Sequence, residues 1–225
     1  MLIQNQINEF TSNLRKILEG LEGWEDRLRE HWSNVAQYGW FPNWETSINL
    51  TTALSKGHSA LDTFMIQHIE ESWDILTRKI LELCPDRSHI LNVAFSLHKE
   101  RNYIASIPLL MAQADGVSAQ HLGAFLFSEH DRRRKSINHI AEDSGDILLT
   151  ALLNVLGVNT QFGAGIRTAS NNKKQLAPNR NGVLHGAREH LDYGTKINSF
   201  KTFSLLAFVV MVLTDRDTSS SGKKI

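Results

Sequence analysis

From Phe203 to Leu213 the chain is apolar with only Ser204 interrupting it, and so much contiguous apolar surface is stable only where something covers it. The run is about half the roughly 20 residues that would cross a bilayer, so it reads as a buried helix. Ile197, Phe200, Phe203, Ser204, Leu206, Ala207 and Val210 recur at helical spacing and predict one buried stripe on a helix from about Thr195 to Leu213. The same period governs most of the chain. Ile3, Ile7, Phe10, Leu14, Ile17, Leu18, Leu21 and Leu28 mark an amphipathic helix from Leu2 to about Trp32, or a pair interrupted near Gly20 and Gly23. Leu61, Met65, Ile69, Trp73, Ile75, Leu76 and Ile80 mark another from His58 to about Leu83, ended by Cys84-Pro85-Asp86.

Punctuation divides the remainder. The segment Gly39-Trp40-Phe41-Pro42-Asn43-Trp44 breaks the helical pattern; its rings can be a base-stacking platform, but a loop plugging the core is the commoner arrangement. Asp86 or Ser88 can cap a helix through about Tyr103, Pro108 kinks it or begins the next, and Asp115-Gly116 is expected to close that segment. The pattern weakens between Val117 and Glu142. A helix is expected from about Ser144 to Leu156, with Glu142, Asp143 and Asp146 as its acidic first turn, followed by a connection over Gly157 to Asn172. Pro178 then starts a helix that Gly194-Thr195 ends. Strand signals are few, so a parallel sheet is not expected. The fold class is all-α, with an N-terminal helical region over 1–84, a helical domain over 85–215 and a flexible polar tail over 216–225.

Charge and special residues exclude several classes of function. Twenty-four basic residues balance 24 acidic ones, so the formal net charge is zero. A large sequence-independent nucleic-acid surface is therefore not expected, because such binding draws most of its affinity from phosphate neutralisation; a small local site is compatible with it. The single cysteine, Cys84, rules out an internal disulfide and a cysteine metal cluster, which suits a reducing cytoplasm. The first residues lack a basic patch and an apolar run, so neither targeting peptide nor membrane partner is expected. His185 and His190 stand five apart, which on a helix turns them about 140° from each other and prevents shared ligation. No metal and no cofactor is expected, and there is no Walker loop, dinucleotide fingerprint, nucleophile elbow, heptad run or repeat.

The segment Arg180-Asn181-Gly182-Val183-Leu184-His185 carries the most chemistry. If it is helical, Asn181 and His185 share a face and Arg180 flanks it, so three polar heads converge within about one and a half turns. A guanidinium holds two phosphate oxygens through its planar fork and suits the phosphorane-like state formed when a ribose 2′-hydroxyl attacks its own phosphate. Imidazole can take the 2′-OH proton or protonate the leaving 5′ oxygen, and Asn181 can orient either partner. One histidine serves poorly as both acid and base in a single turnover, which makes a second copy of the chain a natural requirement. Gly182 and Gly186 fit a place where something approaches closely, since glycine inside a helix costs about 1 kcal/mol relative to alanine; a loose helix start is the alternative.

Arg180 to His185 resembles the Arg-x-x-x-x-His pattern of the HEPN superfamily, with a polar residue after the arginine and an apolar helix following. Arg101 to Gly116, and Asn179 to Gly186 with Tyr193-Gly194-Thr195, also resemble segments of uncharacterised bacterial members. The resemblance covers roughly the second half of the chain. It implies a HEPN-like helical bundle, a homodimer with two motifs facing across a cleft, and a metal-independent endoribonuclease leaving 2′,3′-cyclic phosphate ends. It also implies toxin–antitoxin or phage-defence settings, with an antitoxin or other regulatory protein as partner. Arg180, Asn181 and His185 would be catalytic. Arg188 can add a phosphate contact or pair with Asp192, and Arg132, Arg133 and Arg134 can guide RNA or form a solvated loop. The alternative is a catalytically inactive helical module that binds RNA, a nucleotide or a protein partner, with Arg180 and His185 serving the scaffold.

Overall fold

Among the described residues, 23–46, 49–128, 130–144, 146–158, 160–171 and 176–220, every regular element in the computed structural model is helical and there is no strand. The all-α expectation holds. The periodic stretch before residue 23 and the last five residues lie outside the described set.

Helix α1 (Trp24–Gln37) starts at Gly23, whose φ of 67° suits glycine. The aromatic loop that follows plugs the core: Trp40 is fully buried and Phe41 is 3% exposed. Trp40 Nε1 donates to Asp62 Oδ1 at 2.7 Å, and Trp44 Nε1 to the Met211 carbonyl at 3.4 Å. Such rings are not free to stack on bases. After α2 (Leu50–Ser55) comes α3 (His58–Leu83), over the span its periodicity predicts, with Leu61, Met65, Ile69, Trp73, Leu76 and Ile80 buried. Pro85 sits in the short 3-10 turn that ends it.

Helix α4 (Ser88–Lys99) stops short of Tyr103, which instead begins α5 (Tyr103–Leu122); Pro108 lies inside α5. The stop expected at Asp115-Gly116 does not occur. Gly116 is a mid-helix residue over which Arg87 packs, and a Cβ there would lie 2.8 Å from Arg87 Nη1. The glycine that does end α5 is Gly123, with φ 65°. The weakly patterned region contains a full helix, α6 (His130–Ser144), followed by α7 (Ile147–Leu156), the 3-10 turn Gln161–Gly163 and α8 (Ile166–Asn171). Next come α9 (Arg180–Leu184), a 3-10 turn over Arg188–His190 and α10 (Lys196–Ser220).

Helix α10 is the axis of the molecule. Every residue from Ser199 to Thr214 is buried, on all faces and not along one stripe, because α5, α3 and α7 all pack against it. Each of its large apolar side chains contributes roughly 1.5–3 kcal/mol of transfer free energy, partly offset by the entropy of ordering it. The apolar stretch is longer than the sequence suggested: Lys196–Thr214, 19 residues, could cross a bilayer by length and composition, but 89% of its apolar window is buried among the other helices, as a core helix would be. The backbone stays helical to Ser220, into the polar end expected to fray. One cluster joins Leu61, Trp73 and Leu76 with Leu110, Leu153 and Phe203, so residue 84 marks a helix end within a shared core.

Polar residues on α10 are absorbed individually. Lys201, 2% exposed, donates from Nζ to the Leu176 carbonyl at 2.6 Å, pairs with Asp62 Oδ1 at 3.2 Å and lies 5.3 Å over the Trp40 ring. Burial pushes its pKa down while Asp62 opposes the shift. Gly39, at φ 82°, admits this arrangement, since a Cβ there would come within 2.6 Å of the Ala177 Cβ and 3.2 Å of Lys201 Cδ.

Candidate functional site

Asn179 sets the geometry of the Arg180–His185 segment. Its side chain is 1% exposed; Oδ1 accepts from the Gly182 N–H at 2.7 Å as the N-cap of α9, and Nδ2 donates to the Gln161 and Ala164 carbonyls, each at 2.8 Å. One residue thus starts the helix and fastens it to the Gln161–Gly163 turn. Helix α9 then ends after five residues: the Ala187 N–H bonds the Gly182 carbonyl at 2.9 Å and the Gly186 N–H bonds the Val183 carbonyl at 3.3 Å, with Gly186 at φ 63°. This is a Schellman stop. The single helix expected from Pro178 to Gly194 is therefore two short pieces joined by a reversal.

The close approach inferred for Gly182 is made by the chain itself. A Cβ there would lie 2.2 Å from His190 Cδ2 and 2.8 Å from His190 Cβ, and His190 is 2% exposed. Gly194 likewise makes room for Ile104, whose carbonyl accepts from the Tyr193 hydroxyl at 3.0 Å.

Arg180 and Asn181 meet, with Arg180 Nη1 donating to Asn181 Oδ1 at 3.1 Å, while Asn181 Nδ2 reaches the Ala164 carbonyl at 3.3 Å. Sequence reasoning missed Asp115: its Oδ2 lies 3.6 Å from Arg180 Nη2, and its Oδ1 accepts from the Phe127 N–H at 3.2 Å. The guanidinium also sits 5.8 Å over the Phe127 ring, and its buried Nε has no hydrogen-bond partner among the described residues. His185, the C-cap, is exposed; its backbone N–H donates to the Asn181 carbonyl at 3.0 Å, but among the described residues no side-chain hydrogen bond or ion pair joins its ring to Arg180 or Asn181. Arg188, exposed on the next turn, does not continue the face of His185, because Gly186 and the extended Ala187 intervene.

The basic run lies on α6 and not in a loop. Arg133 is 4% exposed: Nε donates to the Leu156 carbonyl at 3.0 Å, Nη1 to the Leu126 and Ser128 carbonyls, and Nη2 to His130 Nδ1 at 2.9 Å. Burial pushes its pKa down, and Asp115 opposes the shift. It fastens the end of α7 to the 125–128 loop and is not a surface guide for RNA. Arg132 and Arg134 remain exposed.

Beside this region lies a cleft of about 740 Å³, lined by His130, Arg133, Arg134, Gln161 and Ala164 together with apolar walls that include Phe127. Arg180 and Asn181 border its wall through Phe127 and Ala164, and none of Arg180, Asn181 and His185 lines it. Among the described residues no group of three or more His, Cys, Asp or Glu is placed to hold a metal ion. Cys84 is buried, and desolvation pushes its thiol up to about 11, so it is no nucleophile at neutral pH. No protein-family model, curated protein or solved structure matches the chain.

Proposed function

We propose that the chain is a HEPN-type, metal-independent endoribonuclease that works as a homodimer, with the Arg180–His185 turns of two copies facing one RNA phosphate. The observation that carries the reading is the exposed face of this turn. His185 is exposed next to Leu184, 43% exposed, and Leu191, six residues further along the chain, is 62% exposed. Exposed apolar side chains flanking an exposed imidazole in the chain suit a surface that a second copy covers. In the dimer Arg180, oriented by Asn181, stabilises the developing phosphorane charge; one His185 takes the 2′-OH proton and its mate protonates the 5′ oxygen, leaving a 2′,3′-cyclic phosphate.

A specific contact favours a second reading, an inactive binding module. Asp115 already pairs with Arg180, so a phosphate must compete with a carboxylate for that fork. Purified wild type and His185→Ala, incubated with total RNA in EDTA, separate the two. The nuclease reading expects cleavage that survives the chelator and falls by orders of magnitude in a variant with unchanged circular dichroism. No cleavage by the wild-type dimer leaves the binding module, and undiminished cleavage by His185→Ala refutes the mechanism assigned to His185. Toxin–antitoxin or phage-defence roles, a protein partner and a cytoplasmic location go with the nuclease reading and share its test.

A further inference from the structure

The cleft of about 740 Å³ carries a second, independent kind of chemistry, since none of Arg180, Asn181 and His185 lines it. We propose that it binds a small phosphate ester, the phosphate oxygens held by Arg134, His130 and the unpartnered Gln161 amide N–H and the organic body lodged against the apolar walls.

Its charged groups have one sign. Among the described lining residues are two arginines and no carboxylate. Arg133 is consumed by carbonyls, but exposed Arg134, one residue on, makes no ion pair among the described residues. His130 stands four positions before Arg134 and is the first residue of a 15-residue helix, whose leading N–H groups have no intrahelical partners. Its ring is set by Arg133: guanidinium only donates, so His130 Nδ1 accepts, and Nε2–H remains as the donor of the neutral ring.

Independent support comes from a second element of the lining. Gln161 is 8% exposed; its Oε1 accepts from the Leu176 N–H at 2.9 Å, which fixes the amide orientation, while its buried Nε2 has no hydrogen-bond partner among the described residues. A buried amide donor without an acceptor is unfavourable by about 1–3 kcal/mol, and a ligand oxygen would relieve it. Phe41, Leu126, Val155 and Leu205 supply the apolar walls. The volume falls within the roughly 300–1,000 Å³ of small-molecule sites. Separated donors suit a tetrahedral group with oxygens in several directions better than a planar carboxylate. In a second cleft, by contrast, the lining holds two carboxylates and both lysines are matched by them: Lys196 pairs with Glu70 at 2.7 Å and Lys99 with Asp74 at 3.2 Å.

The test is a titration of ¹⁵N-labelled full-length protein with phenyl phosphate and with inorganic phosphate, following side-chain amide resonances by NMR. The expected result is a saturable shift of the Gln161 side-chain amide with phenyl phosphate, weaker binding of inorganic phosphate, and at least about a tenfold loss of phenyl phosphate affinity in Arg134→Gln. Equal affinity for the two probes, equal affinity in wild type and variant, or a Gln161 amide that does not move would overturn the proposal. So would a short oligoribonucleotide moving Gln161 where phenyl phosphate does not, since the cleft would then belong to RNA. RNA cleavage by Arg134→Gln in EDTA is read separately, so either proposal can fail without the other.

Discussion

Gly182→Ala tests whether the glycine of the motif serves the fold or a ligand. Taken alone, alanine in a helix is favoured over glycine by about 1 kcal/mol. The new Cβ, however, would meet His190 Cδ2 at 2.2 Å, Cγ at 2.3 Å and Cβ at 2.8 Å. Turning the ring cannot relieve a contact with Cβ, so the Arg188–His190 turn must move against a helix held by Asn179. Overpacking of this kind costs about 1–3 kcal/mol, and contact with Cβ as well as the ring places it in the upper half. The net expectation is a destabilisation of about 1–2 kcal/mol, or a fall in Tm of about 3–6 °C for a chain of this size. Calorimetry of Gly182→Ala, His190→Ala and the double variant closes the cycle. His190→Ala removes the ring but keeps its Cβ, so the overpacking left there should about offset the helix preference for alanine, making Gly182→Ala nearly neutral in that background and giving a coupling of about 1–2 kcal/mol. A Tm raised by Gly182→Ala alone, or a cost as large without the ring as with it, would refute the reasoning.

Arg133→Met should destabilise by at least about 3 kcal/mol in urea denaturation, because the Leu126, Ser128 and Leu156 carbonyls lose their donor together, whereas Arg134→Met should stay within about 0.5 kcal/mol; equal effects would contradict the structural role given to Arg133. Burial holds the His98 pKa down at about 4, with smaller effects from Glu70, which raises it, and Lys196, which lowers it further. The unfolded chain protonates this ring below about pH 6.5 and the native protein only near 4, so its contribution is complete above 6.5, declines by up to about 3 kcal/mol as pH falls to 4, and levels off below. Urea midpoints measured from pH 7 to 4 should therefore fall less steeply in His98→Asn than in wild type, and parallel curves would show that His98 does not titrate in this way.

Periodicity alone exposed α3, whose apolar residues fall at steps of three and four over the span the structure shows. It failed where a residue serves a tertiary contact. Gly116 reads as a helix stop in isolation, yet it lies mid-helix because Arg87 covers it and bonds Gln113 and Gln120 on either side. The basic run reads as solvated, and only the carbonyls gathered around Arg133 explain why a helix forms with that residue inward. At the motif, sequence spacing placed Arg180 beside Asn181 but could not reveal Asp115, which lies far away in the chain and reaches Arg180 only through folding. Gly186 carried a local signal for a helix stop, and the expected continuation to Gly194 passed over it.

A rod that is oily on every side has no preferred rotation about its own long axis, because any face satisfies a greasy sheath equally well. The shaft Ser199–Thr214 is such a rod, and its few polar side chains act like the wards of a key. Ser199 Oγ sits 2.8 Å from His98 Nδ1 and 3.0 Å from Ser106 Oγ, Lys201 finds Asp62, and Ser204 Oγ receives the Phe41 N–H at 3.4 Å. Each mate lies on a different neighbour, so only one azimuth engages all three locks. Replacing them with greasy look-alikes would leave the bundle collapsed but let its shaft slip among several angles, and the turn at 180–185, reached through Lys201 and Leu176, would lose its fixed bearing on the rest of the molecule.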